Sequence, residues 1–293
     1  MPDTPGEHAP DPGRGAFGDW RELVDPDADR RSSDREHAQG LGSTRQLDLA
    51  SMQLELFPSL LRRSLGRGWF ESGSLSLAFV GSAERGEALR AFLELAPPGA
   101  RDVRVEAFVE RRDGRRVASG SVAIGIPAAS WAHGLAENSE TQRLDLRILG
   151  PVAAGDRFAP VRVEVGSDAL DRWVERSPDA IDWYLDPKPF GACVLPLGLS
   201  LQVLRAAERA HLSLRRGRAL AVFGAIEIRQ LAGPLLACTP YQVAGRVLAL
   251  GQSPRSEFLW HESRATAADG TCVVLLRLML RYLKASSPLY TQR

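Results

Sequence analysis

Cysteine is scarce in this chain. Its three residues, Cys193, Cys238 and Cys272, lie far apart in apolar runs. Three scattered thiols build neither a disulfide framework nor a metal-ligand cluster, so reduced, buried thiols and no metal are expected. A charge excess is lacking too. The 37 basic and 36 acidic residues leave a formal charge of +1, and no basic block interleaved with aromatics appears, which argues against nucleic acid as a partner. No apolar run approaches the roughly 20 residues that span a bilayer, so no membrane is expected. The N-terminus is polar and acidic, without the apolar core of a secretory signal, and the expected location is cytoplasmic. No phosphate-binding Walker loop, dinucleotide Gly-x-Gly-x-x-Gly or Gly-x-Ser-x-Gly elbow is present. What remains is a 293-residue chain, 44% hydrophobic, long enough for one large or two small domains with a substantial core.

The strongest pattern lies in Ser177–Leu214. It opens as a polar turn with Asp179 and Asp182 and passes the aromatic pair Trp183-Tyr184. It then bends through Pro187-Lys188-Pro189-Phe190-Gly191 and ends in a helix expected over Val194–Leu212. That helix is apolar almost all round at first (Leu195, Leu197, Leu199, Leu201, Val203, Leu204), so other structure must wrap it. Pro196 suits its first turn, where a missing N–H costs nothing. Upstream, Phe158–Val165 reads as a strand and Ala169–Arg176 as a short helix capped by Ser167 or Asp168. Downstream come β-patterned runs at Ala219–Arg229, Tyr241–Leu250, Phe258–Ala265 and Cys272–Leu283, the last two flanking the hairpin signal Ala268-Asp269-Gly270. One buried helix followed by an antiparallel meander is the plan of a hotdog fold, a sheet rolled around a central helix.

The first half repeats this order. Residues 1–45 are rich in Pro, Gly, Asp, Arg and Ser and are expected to be a mostly disordered tail, a solvated leader, with docking of Phe17–Val24 onto the body as the alternative. Gln46–Leu65 is an amphipathic helix candidate interrupted by Pro58 and stopped by Gly66 and Gly68. Trp69–Val80 alternates as a strand, Gly86–Leu95 is taken as another, and Val103–Arg111 and Val117–Ile126 flank the turn Asp113-Gly114. The expected fold class is therefore α+β, a double hotdog with two antiparallel sheets, each wrapped around a central helix. The first unit with its connector occupies residues 46–145, and the second, with the candidate site, residues 146–293. The first unit shows no leading strand or site turn before its helix. The two sheets are expected to pair edge to edge, which would cover open strand edges.

Gly155-Asp156-Arg157-Phe158, the short helix, Ser177-Pro178-Asp179 and the bend Pro189-Phe190-Gly191 together resemble the MaoC-like acyl-CoA hydratase/dehydratase family. The resemblance covers Gly155–Lys284 well and Gln46–Gly125 more weakly. The family motif reads approximately Gly-Asp-x-Asn-Pro-x-His. Matched by position, its Gly falls on Pro178, its Asp on Asp179, its Asn on Ile181, its Pro on Asp182 and its His on Tyr184; the later His-Gly reads Leu195-Pro196. The acid is kept and the imidazole is replaced by a phenol. The resemblance implies a substrate carried on CoA or an acyl carrier, with no other cofactor. Asp179 and Tyr184 would be the catalytic pair, Trp183 and Phe190 would contact substrate, and Gly191 and Ala192 would cradle the thioester oxygen.

Tyr184 titrates near 10 unless perturbed, which suits a hydrogen-bond donor better than a base. Cys193, in the same loop, reads as a buried structural thiol. His211 reads as a helix C-terminal partner, while His133, in the polar connector with Trp131, and His261 are open as spatial replacements for the motif imidazole. A catalytically silent hotdog subunit or scaffold and a hotdog acyl-CoA thioesterase remain as alternatives. A second copy or a paralogous hotdog subunit is the expected protein partner, with monomer and dimer both open.

Overall fold

The computed structural model of the chain describes residues 15–23, 50–81, 83, 86–97, 102–125, 145–177, 179–212 and 216–291. Eleven strands form one antiparallel sheet. In chain order the first half contains β1 (Gly15–Phe17), β2 (Arg21–Glu22), α1 (Ala50–Gln53), a 3-10 turn (Leu54–Leu56), α2 (Pro58–Ser72), β3 (Gly73–Phe79), β4 (Ala88–Glu94), β5 (Val103–Arg111) and β6 (Arg116–Ile124). The second contains β7 (Arg157–Val163), α3 (Ser167–Val174), a 3-10 turn (Asp182–Tyr184), α4 (Leu197–Leu204), α5 (Ala206–Leu212), β8 (Ala221–Gln230), β9 (Tyr241–Gln252), β10 (Ser256–Thr266), β11 (Cys272–Leu283) and α6 (Pro288–Thr291).

Spatial order along the sheet is β1-β4-β5-β6-β3-β8-β11-β10-β9-β7, with β2 also on β4. The two halves of that order mirror each other about the β3·β8 seam, where Ser74 faces Arg229 and Ala78 faces Ala225. This is the expected double hotdog, joined edge to edge. Each half curls around its own helix because alternate strand residues are apolar on the inner face. Ile226 and Ile228 of β8 and Leu276 and Leu278 of β11 are fully buried against the core. All but Gln202 of α4 is buried, as its apolar circumference demands. Both hairpin turns form where expected: Gly114 and Gly270 hold φ of +81° and +89°, and the carboxylates of Asp113 and Asp269 accept the backbone N–H of Arg115 and Thr271.

The structure departs from the sequence reading in five places. First, part of the expected tail is built into the sheet. Gly15–Phe17 and Arg21–Glu22 pair with β4, Phe17 packs 4.9 Å from Phe92, Arg90 lies over both Phe17 and Trp20, and Leu23 is fully buried. Three large apolar side chains, Phe17, Trp20 and Leu23, suffice here because the edge they join already exists. Second, these strands are the leading strand that the first unit was thought to lack; they sit at one end of the sheet as β7 sits at the other. Third, Trp69-Phe70 lies in α2, not in a strand. Gly66 bends that helix with φ +61° without ending it, and the strand begins at Gly73. Fourth, the long helix is two, α4 and α5, starting at Leu197 with Pro196 before it and breaking at Arg205. Fifth, Gly166 stands at the N-cap of α3, and neither Ser167 nor Asp168 caps it. Pro178, Trp131 and His133 lie outside the described residues. No helix among the described residues is long and apolar enough to cross a membrane.

Candidate functional site

From β7 the chain passes through α3 and then winds across the seam between the units before entering α4. Within that winding, Asp182, Trp183 and Tyr184 form one 3-10 turn, held from the other unit by α2. The Arg62 guanidinium makes a two-pronged ion pair with the exposed Asp182 carboxylate and lies 5.0 Å from the Trp183 ring. Trp183 packs edge-on against Phe70 at 5.0 Å and Phe190 at 5.6 Å, and Arg67 covers Phe190 at 4.7 Å. Trp183 and Phe190, expected at the substrate, therefore form an aromatic bracket between units.

Next to the bracket lies a cavity of about 480 Å³ walled by Gly18 and Asp19 of the N-terminal segment, Ser59, Arg62 and Arg63 of α2, and Asp179 and Ile181 of the winding loop. Both units contribute to it. Asp179 is half-buried on its wall.

Behind Asp179 is a group that no motif announced. Glu55, in the 3-10 turn before α2, is fully buried. Its Oε1 accepts the backbone N–H of Gly198, in the first turn of α4, at 2.6 Å and the indole N–H of Trp173, on α3, at 3.0 Å. Its Oε2 is buried with no partner among the described residues. Burial pushes the carboxyl up to about 7, against the lowering effect of the Gly198 and Trp173 hydrogen bonds; the nearby charge of Asp179 adds to the rise. Tyr184 is 1% exposed, and its hydroxyl likewise lacks a partner among the described residues. Burial, then the charges of Glu55 and Asp179, push the phenol well above its usual 10. Gln53, two residues before Glu55, is also fully buried, and neither amide atom has a partner among the described residues.

Asp179 and Tyr184 thus share an electrostatic neighbourhood. Gly191 and Ala192 do not stand at the helix start. Gly191 is an exposed turn residue with φ +80°, and Val194, in a bridge to Leu236, lies between it and α4. The N–H group at the start of α4 that points into the interior belongs to Gly198. Cys193 is half-buried, and its thiol is pushed up by burial first, then by Asp186, Asp171 and Cys238, which disfavours the thiolate. His261 points inward, fully buried, but the charges that act on it are Glu208 and Arg205. His211 closes α5 and packs 5.2 Å from Phe158. No group of three potential ligands capable of holding a metal occurs among the described residues.

Glu55, Trp173, Gly198, Arg62 and Arg63 went unread in the sequence. One signal was available for Glu55: it is the single charge in the apolar run Met52–Phe57, and a carboxylate in such a run is either solvated or specially held.

No family model matches the sequence, and no curated protein does. Solved structures match through the fold. A putative MaoC domain protein dehydratase from Chloroflexus aurantiacus is 13% identical with a TM-score of 0.62, covering 92% of this chain and 95% of its own. A conserved hypothetical protein from Mycobacterium tuberculosis with a double hotdog fold is 10% identical with a TM-score of 0.60, covering 92% and 96%. A MaoC-like dehydratase is 13% identical with a TM-score of 0.54, covering 92% and 98%. These likenesses establish the double hotdog over nearly the whole chain.

Proposed function

We propose that the protein binds an acyl thioester, on CoA or an acyl carrier protein, in the cavity between its units, and hydrates a 2-enoyl thioester there in the manner of MaoC-like enzymes. The observation that supports this most is the position of Asp179. It is a carboxylate on the wall of a cavity built by both units, backed by two buried titratable groups whose pKa values are pushed up. Arg63, exposed on the same wall beside the Asp182-paired Arg62, supplies positive charge for the phosphates of the carrier. The three free thiols suit a reducing compartment such as the cytoplasm.

The chemistry needs one carboxylate. Asp179 takes a proton from water as the water oxygen adds to the β-carbon. The π electrons move onto the thioester oxygen as an enolate. Asp179 then returns the proton to the α-carbon, and the net change is addition of one water. The test is spectrophotometric hydration of crotonyl-CoA and a longer enoyl-CoA. Asp179→Ala is expected to lower the rate by about a hundredfold to ten-thousandfold with melting unchanged. An equal rate in the variant contradicts the assignment. Crotonyl-CoA binding without hydration would favour the silent-subunit reading, which the phenol at position 184 supports. Release of free CoA thiol without hydration would favour the thioesterase reading.

A further inference from the structure

We propose that Glu55 and Tyr184, one from each unit, form a paired hydrogen-bond donor for the thioester carbonyl oxygen, with Glu55 acting as the neutral acid. The inference rests on the acyl-thioester reading above and names the groups that would hold its carbonyl.

The geometry at Glu55 is the starting point. Two N–H donors, Gly198 and Trp173, converge on a single oxygen, Oε1. They fix the carboxyl plane and make Oε1 the carbonyl-like oxygen. Oε2 is left as the site of the proton, buried and without an acceptor among the described residues. The Tyr184 hydroxyl is in the same state. A buried donor without an acceptor destabilises the fold, so two of them call for an acceptor. A thioester carbonyl oxygen has two lone pairs and takes both. As the enolate forms, both hydrogen bonds strengthen, the pattern expected of an oxyanion site.

The electrostatics favour the protonated form of both groups, that of Glu55 below about pH 7. Burial raises each, and the charge of Asp179 raises each further. Asp179, on the cavity wall, is free to work as the base while Glu55 stays neutral, a division of roles between two carboxyls set by their environments. Asp179 and Tyr184 face Glu55 from the winding loop. Trp173 of α3 and Gly198 of α4 hold it without bringing charge. Gln53 of α1 is neutral, and Arg62, the guanidinium of α2 turned toward the winding loop, is engaged by Asp182. Asp179 and Ile181 of the winding loop line the cavity, and the 3-10 turn that carries Tyr184 begins at the residue after Ile181.

The test measures, by calorimetry at pH 6 and pH 8.5, the binding of butyryl-CoA, a saturated thioester that keeps the carbonyl and has no double bond to hydrate, in the wild type, Glu55→Gln and Tyr184→Phe. Glutamine keeps an oxygen for Gly198 and Trp173 and presents an N–H in place of the acid proton at every pH. The wild type is expected to bind about tenfold more tightly at pH 6 than at pH 8.5, beyond any change that Glu55→Gln shows; Glu55→Gln is expected to bind at pH 8.5 as tightly as the wild type does at pH 6; Tyr184→Phe is expected to bind about tenfold more weakly at both. Equal pH dependence in the wild type and Glu55→Gln, or unchanged binding by Tyr184→Phe, overturns the paired donor while leaving acyl-thioester binding in place. No binding by the wild type at either pH overturns the acyl-thioester reading and the paired donor with it.

Discussion

The two hotdog units share a plan but divide the work. In the first, the helix entering the core carries charge: Glu55 in its leading 3-10 turn, then Arg62 and Arg63 on the face turned to the cavity. In the second, α4 carries no charged residue, and seven of its eight residues are buried. Its contribution to the site is a backbone N–H, that of Gly198. The strands differ in the same sense. Those of the second unit run 10 to 12 residues from β8 to β11, while β3 to β6 of the first run 7 to 9. The longer, apolar unit is the scaffold, and the shorter one brings the acid and the arginines to it. A site at the seam therefore needs both units, and its residues lie more than a hundred positions apart in the chain.

That division makes unequal demands on the two helices. The largest expected effect is in the sealed one. Leu201, fully buried in α4, should cost about 4 kcal/mol as Leu201→Ala, whereas Arg63→Ala, on the exposed side of α2, should move stability by no more than about 0.5 kcal/mol. Urea unfolding of the two variants checks this, and equal losses would erase the contrast.

A somewhat smaller effect follows from pH and also belongs to the second unit. Burial lowers His261 from 6.5 to about 4. Between those values the unfolded chain holds a proton that the folded chain does not. Stability from this group is full above about pH 6.5 and is lost as pH falls through that window, by about 3 kcal/mol in all. His261→Leu should flatten the acid limb of the unfolding free energy, and an unchanged limb would show that other groups set it. The smallest effect is at the surface. Asp182→Asn removes the exposed ion pair with Arg62 and should change stability by less than about 1 kcal/mol, while releasing Arg62 toward the cavity; a larger loss would mean that the pair, and not the aromatic bracket, holds the winding loop.

Much of this was legible in the residues, and the rest was hidden for identifiable reasons. The Asp-Gly turns read correctly because they are local: a positive φ at glycine and an Asp side chain on the N–H two residues ahead need no tertiary structure. The all-round apolar α4 read correctly as a wrapped helix, though its break at Arg205 did not show. The first unit's leading strand was missed because Phe17, Trp20 and Leu23 are diluted in a Pro- and Gly-rich stretch. Their stability comes from an edge, β4, that lies some 70 residues downstream. Trp69-Phe70 was misread because a short apolar run suits either a helix end or a strand start, and only packing decides. Asp179 and Tyr184 were singled out through a motif, and the fold places them in one electrostatic neighbourhood. Glu55 could not be singled out so, since its character depends on burial by α3 and α4, and a sequence does not display burial.

The central claim is that a carboxyl from the first unit is held neutral by the second. The direct measurement is the unfolding free energy of the wild type and Glu55→Gln from pH 4 to pH 8.5. Glu55 is raised from 4.5 to about 7 in the fold. Below pH 4.5 both states hold its proton; between pH 4.5 and about 7 the unfolded chain releases it while the folded chain keeps it, so the folded protein loses stability across that window. Glu55→Gln is expected to gain about 3 kcal/mol on the wild type between pH 4.5 and pH 8. A difference between the two proteins that stays flat with pH would contradict it, for Glu55 would then titrate as an ordinary carboxylate and the site would lose its acid.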